Sequence, residues 1–333
     1  MIQTFHRSMS IAALMLSTGA AANAASYTTF DPPGSVDTYP RYISPSGVVV
    51  GGYSTDNISG KGFIRGADGT ITVFRPKGAE VVEAVGIDGQ GRVSGSYTPH
   101  KREQERGFVR EADGTISTFD APHTHFTRAA AADPQAGIAG YFHGSHGNPT
   151  GYLRSADGVL TTFKVPHSIF TLGRAINSAG TVVGTYVSKR IKIAAFIRTP
   201  DGSITRFDPP KSHESEAMAI NSDGVITGDY LDAKGSGHGY VRSTDGTIAA
   251  FDPNDSIDTI PLAINSSGAI VGTYETSDKV DHAFLRTSDG TLSNIDPPGA
   301  VTNTQATTIN DAGVIAGIFK GSDGLFHGFL RTP

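Results

Sequence analysis

The stretch Ser26–Asp37 reads SYTTFDPPGSVD, and its FDPP phrase returns further along the chain. One related phrase, SITRFDPPK, starts at Ser203, and another, TLSNIDPPGAV, starts at Thr291. In both later copies the phrase closes a repeating unit, because proline cannot donate a hydrogen bond to a strand ladder. The chain therefore carries the closing segment of its repeat ahead of any complete copy, and this displaced segment decides the fold.

An arginine shortly before a turn marks every copy of the repeat. Successive arginines lie 44 or 45 residues apart, and they are Arg65, Arg110, Arg154, Arg198, Arg242, Arg286 and Arg331. Six of the seven are followed three positions later by an Asp-Gly pair, of which Asp68-Gly69 is the first. Self-similarity at a fixed period is typical of repeat architectures, so we infer seven copies of one structural unit.

Each copy contains four short apolar or alternating runs. In the fourth copy they are GRAIN, TVVGTYV, AAFIRT and SITRFD, between residues 173 and 208. Asn and Gly between the first two runs, and Asp-Gly between the last two, are typical of hairpin turns. Four antiparallel strands in about 44 residues are typical of one β-propeller blade. We therefore predict an all-β fold, a seven-bladed β-propeller with four strands per blade.

The two ends of the repeat region complement each other. The last copy, from Gln305 to Thr332, contains three runs and lacks the fourth. We predict that the strand from Tyr27 to Asp31 completes this last blade and closes the ring, which protects both sheet edges. A solenoid is the alternative all-β repeat fold, and its ends are capped rather than joined.

A triplet at the start of the third run carries a family resemblance. It reads His-Gly-Tyr from His238, His-Ala-Phe from His282 and His-Gly-Phe from His327, each followed by an aliphatic residue and arginine. These triplets resemble the signature of bacterial extracellular HAF-repeat proteins, and the resemblance covers residues 25–333. It implies export and a repeat fold, and it transfers no catalytic residue. From their position, we predict that the three histidines donate hydrogen bonds to nearby loop carbonyls.

The first residues and the composition bound the function. Residues 1–24 have the charged, apolar and small-residue order of a secretory signal peptide, so we expect a secreted or periplasmic protein with one domain over residues 25–333. No apolar run is long enough to span a membrane. The formal net charge of −5 disfavours a nucleic-acid partner, and the absence of cysteine excludes disulfides and thiolate chemistry. We expect the protein to be a monomer.

The predicted topology divides the loops between two faces of the ring. The top face carries the loops after the fourth strands and those between the second and third strands. The bottom face carries the tight Asn-x-x-Gly and Asp-Gly turns. Binding is expected among the longer and more varied loops, so we place the candidate site on the top face.

The first strands present a set of residues that differ between copies. We call this set the channel mouth, and its candidate ligand-binding residues are Tyr39, Arg41, Glu83, Arg128, Arg174, Glu216 and Gln305. Arginine pairs bidentately with carboxylates, and together with Glu and Tyr it could hold sugar hydroxyls. In the alternative interpretation Glu83 and Glu216 pair with neighbouring arginines and only fill a polar channel.

The third copy is unusually rich in histidine. His123 and His125 lie in the loop that enters it, and His143 and His146 lie between its second and third strands. Three or four imidazoles suit Zn²⁺, Cu²⁺ or Ni²⁺, and a bound metal would activate a water molecule. Surface loops also carry unpaired histidines, and no carboxylate lies within these loops to orient the rings.

Two functions remain open from the sequence. The first is an exported binding module whose top face recognises an extracellular polysaccharide or small ligand. The alternative is an extracellular polysaccharide lyase or hydrolase on the same face, with or without metal assistance. In a lyase, Arg128 or Arg174 would neutralise a uronate carboxylate, and Tyr39 or a histidine would abstract the proton. The fold supports both functions, and no known catalytic motif is present to choose between them.

Overall fold

The computed structural model describes residues 25–56, 59–100, 104–124, 126–144 and 147–333. The predicted signal peptide lies outside these residues. All the regular elements described are strands, and they form seven antiparallel sheets of four strands each. The predicted seven-bladed β-propeller is therefore confirmed. Its blades follow one another along the chain, and blade 7 takes one strand from the N-terminal region.

The strand bounds are as follows. Blade 7 begins with its outermost strand, β1 (Ser26–Phe30). Blade 1 contains β2 (Asp37–Ile43), β3 (Val49–Ser54), β4 (Gly60–Arg65) and β5 (Ile71–Phe74). Blade 2 contains β6 (Ala79–Ile87), β7 (Val93–Pro99), β8 (Arg106–Arg110) and β9 (Ile116–Phe119). Blade 3 contains β10 (Thr127–Asp133), β11 (Gly137–His143), β12 (Pro149–Arg154) and β13 (Leu160–Phe163).

The second half of the ring repeats this order. Blade 4 contains β14 (Ser168–Ile176), β15 (Val182–Ser188), β16 (Ile193–Arg198) and β17 (Ile204–Phe207). Blade 5 contains β18 (Glu214–Ile220), β19 (Ile226–Leu231), β20 (Gly237–Arg242) and β21 (Ile248–Phe251). Blade 6 contains β22 (Ser256–Ile264), β23 (Ile270–Thr276), β24 (Asp281–Arg286) and β25 (Leu292–Ile295). Blade 7 is completed by β26 (Thr302–Ile309), β27 (Ile315–Lys320) and β28 (Phe326–Thr332).

The ring closes through the displaced segment. Strand β1 pairs antiparallel with β28, from Ser26 opposite Thr332 to Phe30 opposite Gly328. This pairing confirms the predicted closure and leaves β28 paired on both sides. The first strands of successive blades contact one another, including β26 with β2, so these strands surround the axis. The top and bottom faces are therefore arranged as the sequence predicts.

The repeated arginines join neighbouring blades. In six blades the guanidinium lies over the fourth-strand aromatic ring of the preceding blade, at 4.8 to 5.5 Å from the centroid. The pairs are Arg65 with Phe30, Arg110 with Phe74, Arg154 with Phe119, Arg198 with Phe163, Arg242 with Phe207 and Arg286 with Phe251. A cation over an aromatic face is stabilising, so this part of the repeat serves blade packing.

Asparagines on the bottom face form a second series of contacts between blades. Each side-chain Nδ2 donates to the backbone carbonyl of the equivalent residue in the next blade, at 3.0 or 3.1 Å. The series runs through Asn177, Asn221, Asn265 and Asn310 and ends at the carbonyl of Ser44. All four asparagines are buried. The last contact joins blade 7 to blade 1 and supplements the strand closure.

Candidate functional site

The first strand of every blade has a β-bulge at the same place. The ladder omits one residue between two paired ones in each blade, namely Arg41, Val85, Ala130, Arg174, Met218, Leu262 and Thr307. The residue before each of these is buried, whereas the omitted residue is at least partly exposed. A bulge re-aims side chains and often lies beside a functional site. The bulges thus leave Arg41 and Arg174 free of the ladder at the channel mouth.

All seven channel-mouth residues lie on first strands and retain solvent contact. Five of them form ion pairs with one another, namely Arg41, Glu83, Arg128, Arg174 and Glu216. The structure therefore contains the Glu–Arg pairing that the polar-channel interpretation predicts. Of the other two, Tyr39 stacks obliquely near Phe326 at 6.1 Å between ring centroids, and Gln305 lies opposite Ile318 in the ladder.

One charged cluster joins blades 1, 2 and 3. Arg128 Nη2 donates to Glu83 Oε2 at 2.7 Å, and Arg41 Nη2 donates to Glu83 Oε1 at 3.4 Å. Arg128 also donates through Nη1 to Glu105 Oε2 at 3.4 Å. Glu105 is only 7% exposed, and it accepts a 2.5 Å hydrogen bond from the Ser96 hydroxyl. Burial raises the pKa of Glu105, while Arg128 and Ser96 act in the opposite direction.

A second cluster lies in blades 4 and 5. Arg174 Nη2 donates to Glu216 Oε2 at 3.0 Å. Asp229 is the direct cross-strand neighbour of Glu216 on β19. Burial raises the pKa of Asp229 to about 7, and the negative charges of Glu216 and Asp258 add to the effect. Arg174 lowers this pKa but does not outweigh the other causes. The Asp229 carboxyl group therefore titrates near neutral pH.

Asp229 belongs to a second series of variable positions, which the sequence analysis missed. These positions lie on the second strands, directly opposite Tyr39 and its equivalents on the first strands, and they are Gly52, Ser96, Tyr141, Thr185, Asp229, Thr273 and Ile318. The sequence contains an indication of them, because each follows the glycine that recurs in every second run. Burial raises the pKa of Tyr141, and both Arg128 and Arg174 act on it, so Tyr141 lies between the two clusters.

A cavity opens beside the first cluster. It has a volume of about 310 Å³ and lies between blades 1 and 2. Its polar and aromatic lining includes Tyr39, Arg41, Tyr53, Asp56 and Glu83. Three of these are channel-mouth residues, so the cavity extends that site outward along the blade interface. A concave space with aromatic walls and a few polar groups is the usual form of a small-ligand site.

The triplet histidines have different partners from those predicted. His327 Nδ1 lies 2.7 Å from Asp31 Oδ2, and its Nε2 lies 3.1 Å from Asp323 Oδ2. His238 similarly lies 2.7 Å from Asp252 Oδ2. The prediction of carbonyl partners is wrong for these two histidines, because the aspartate that follows the fourth-strand phenylalanine, Asp252 or Asp31, lies beside each ring. Burial lowers the pKa of His327, but the two aspartates outweigh it and the net shift is upward.

The predicted histidine cluster of blade 3 is only partly described. His125 and His146 lie outside the described residues. The ring of His143 stacks on Phe126 with centroids 4.0 Å apart, and burial lowers its pKa. His123 adopts a positive φ of 58° and lines a cavity that also includes Phe142. Within the described ranges no group of three or more potential ligands is placed to hold a metal, so the four-histidine site stays a prediction.

The fold and the channel mouth define the class of protein, a seven-bladed β-propeller with charged residues at one end of its axis. Similar solved structures include virginiamycin B lyase from Staphylococcus aureus with quinupristin, with a TM-score of 0.61, 18% identity and coverage of 93% of this chain and 100% of that one. The β-propeller domain of the Trilobed protease from Pyrococcus furiosus has a TM-score of 0.63 at 12% identity, covering 89% and 95%. At these identities the likeness concerns the fold.

A third similar structure is a puromycin hydrolase, with a TM-score of 0.60 and 12% identity, covering 88% of this chain and 52% of that one. No protein-family model matches the chain, and no curated protein matches it. Among the described residues no helix is long and apolar enough to cross a membrane. The comparisons therefore establish the architecture alone.

Proposed function

We propose that this protein is an exported, HAF-repeat-like binding module that recognises an extracellular saccharide at the channel mouth of its top face. The observation that carries the proposal is the convergence of charged side chains from five blades, at positions where the repeat does not require them. Variation at a ring of otherwise repeated positions marks a surface that packing leaves free. The adjoining cavity of about 310 Å³ has room for a sugar ring or two.

The charge balance indicates the chemistry of the saccharide. Three guanidiniums face four carboxyl groups, namely Arg41, Arg128 and Arg174 against Glu83, Glu105, Glu216 and Asp229. Each arginine already has a glutamate partner, so none is left to bind a uronate carboxylate. The excess is one carboxyl group, and a carboxyl group accepts hydrogen bonds from hydroxyl and amine donors whether or not it is ionised. This balance favours a neutral or amino sugar.

The cavity walls fit the same ligand class. Tyr39 and Tyr53 line the space together with Asp56 and Glu83. Aromatic side chains supply apolar contact area, and their hydroxyls retain a polar end. Carboxylates beside the rings can accept hydrogen bonds from the hydroxyl groups of a sugar. An aromatic and acidic lining of this kind suits a ligand that has both apolar faces and many donors.

The test is a binding screen on the chain from residue 25 to residue 333. Calorimetric titration with neutral, amino-sugar and uronate oligosaccharides of equal length compares the three classes directly. We expect binding of a neutral or amino-sugar oligomer and weaker binding of the uronate. Binding of the uronate alone would contradict the charge argument, and binding of none of the three would contradict the saccharide proposal.

The second candidate function is a hydrolase, and Asp229 is the observation in its favour. A carboxyl with a pKa of about 7 beside an arginine-paired glutamate has the two roles that glycoside hydrolysis needs, a proton donor and an ionised partner. The lyase arrangement is less favoured, because burial raises the pKa of Tyr39 and so lowers the fraction of its side chain that is the phenolate base at neutral pH. Release of reducing ends from neutral polysaccharides, lost in Asp229→Asn, would support the hydrolase.

A further inference from the structure

A short basic hairpin projects from the top face of blade 4. It joins β15 to β16 through Ser188–Lys192, with the sequence SKRIK. Its turn is closed by hydrogen bonds between the backbones of Ser188 and Ile191 and of Ser188 and Lys192. The side chain of Ile191 is 77% exposed, more than any other large apolar residue in the described ranges. Three of its four neighbours in this hairpin are Lys189, Arg190 and Lys192.

The backbone conformation of Ile191 is also unfavourable. In five blades the turn between the second and third strands contains a residue of positive φ, and these residues are Gly147, Ile191, Gly235, Lys279 and Gly324. Ile191 has a φ of 60°. A β-branched residue is a genuine outlier in this region, because its side chain crowds the backbone. Packing within the chain does not offset this strain, since the side chain is mostly in solvent. An apolar residue that is both strained and exposed therefore indicates a contact with another molecule.

The surroundings of the hairpin are also basic. Lys164 and His167 lie in the loop that enters blade 4, and Lys211 lies in the loop that leaves it, all exposed. Lys192 pairs with Asp208 at 2.6 Å, whereas Lys189 and Arg190 form no ion pair with any residue that the structure describes. The equivalent hairpins of blades 5, 6 and 7 carry aspartates, namely Asp232, Asp278 and Asp323. The cationic surface is therefore local, in a chain of net charge −5.

We propose that this basic hairpin docks on the surface of an anionic lipid bilayer, with Ile191 inserted at the boundary between headgroups and acyl chains. Lys189 and Arg190 would then contact lipid phosphates on either side of the insertion. An aliphatic tip flanked by cations needs no complementary pocket, and it matches the surface of an interfacial membrane anchor. The docking requires no membrane-spanning segment.

Two other partners fit the hairpin less well. The core of a protein–protein interface is enriched in aromatic residues and depleted in lysine. The three loops of this surface, 164–167, 188–192 and 208–213, contain several lysines and no aromatic residue apart from two histidines. A soluble polyanion would bind the cations but would gain nothing from an exposed isoleucine held in a strained conformation. The isoleucine thus separates the lipid surface from both alternatives.

The test uses sedimentation of the chain from residue 25 to residue 333 with two kinds of vesicles, pure phosphatidylcholine and phosphatidylcholine mixed with phosphatidylglycerol. We expect binding to the anionic vesicles only, weakened by added salt. Lys189→Ala/Arg190→Ala should lower the apparent affinity about thirtyfold, because each cation near an anionic surface raises the affinity about fivefold. Ile191→Gly should lower it at least about tenfold through lost apolar insertion.

Two controls protect this interpretation. Lys234→Ala/Lys279→Ala removes the same net charge from the equivalent hairpins of blades 5 and 6, and it should bind as the wild type does. Ile191→Gly relieves a strained φ, so its melting temperature should be no lower than that of the wild type. Equal binding by Ile191→Gly and the wild type would overturn the membrane proposal in favour of a general polyanion surface. Absence of wild-type binding to anionic vesicles would overturn it outright, as would a lowered melting temperature in Ile191→Gly, because the residue would then have a structural role.

Discussion

The bottom and top faces of this ring are built from the same seven repeats, yet they differ in what the repeats conserve among themselves. On the bottom face, four buried asparagines make the same contact with the next blade. On the top face, the starts of the first strands carry Tyr, Glu, Arg, Leu, Glu, Ile and Gln in turn. Repeats must agree where neighbouring blades pack, and they are free to differ elsewhere. The difference between the faces therefore locates the candidate site.

The largest expected effect concerns the closure that holds both faces together. A chain that starts at Ser35 lacks β1 and leaves an edge of β28 unpaired. It also removes Phe30 from beneath Arg65 and Asp31 from His327. We expect the loss of most of the free energy of unfolding, because a propeller with an open blade exposes its core and an edge strand. Thermal unfolding followed by circular dichroism measures this. A melting temperature equal to that of the chain starting at residue 25 would contradict the closure.

A smaller effect is expected in the first charged cluster of the top face. Arg128→Ala leaves Glu105 buried with the Ser96 hydroxyl as its side-chain partner. The cost should be about 2 kcal/mol at neutral pH, after allowance for the partial exposure of Arg128. The penalty belongs to the ionised carboxylate, so it should fade as the pH drops below the pKa of Glu105. Urea unfolding at neutral and acidic pH measures both values, and a cost that does not depend on pH would contradict this assignment.

Asp229 makes the stability of the protein depend on pH, and here the substitution should stabilise the protein rather than destabilise it. Its pKa is raised to about 7, above the value of an unfolded aspartate, so the native state holds a proton that the unfolded state releases. Its stabilising contribution is complete at acidic pH and is lost as the pH rises through about 7. We expect Asp229→Asn to be more stable than the wild type at neutral pH by on the order of 2 kcal/mol. The difference should vanish at low pH, and a persistent difference there would place its origin elsewhere.

The contrast between the faces is sharpened by a matched pair of substitutions. Asn310→Ala removes the bottom-face hydrogen bond to the Ser44 carbonyl and leaves its own turn without an acceptor for Val314 N–H. We expect a loss of about 1 to 2 kcal/mol. Gln305→Ala, five residues earlier in β26, should change stability by less than about 0.5 kcal/mol. Equal losses in chemical denaturation would remove the distinction between packing positions and free positions.

The sequence was sufficient for the architecture because its main constraint is periodic. The phrase at Ser26–Asp37 revealed the closure, and the irregular residues of the first strands pointed to the channel mouth. The β-bulges were not predictable, since a bulge is a property of strand pairing and the omitted residues share no chemistry. Glu105 was missed because it belongs to a loop that differs between blades. Asp229 was missed because only the first strands were compared, although its own position also varies.

The histidine triplets show a different limit of sequence reasoning. Their repetition correctly suggested a local structural role, but the partner was assigned to a carbonyl. In the structure the partner aspartate of His238 is Asp252, which directly follows the neighbouring strand β21 of the same blade. The partner of His327 is Asp31, from the far end of the chain. Partners that are brought together by strand register become visible in the sequence only after the register is known.

The central claim is that the channel mouth binds a ligand, and one titration tests it most directly. The oligosaccharide that binds best to the wild type is titrated into Tyr39→Ala, Asp229→Asn and the bottom-face control Asp68→Ala. Neither of the first two substitutions breaks an ion pair among the described residues, so loss of binding would not follow from a disrupted charge network. We predict that each lowers the affinity by about tenfold or more, while Asp68→Ala binds as the wild type does. Unchanged affinity in both top-face variants, or an equal loss in all three, would contradict the account.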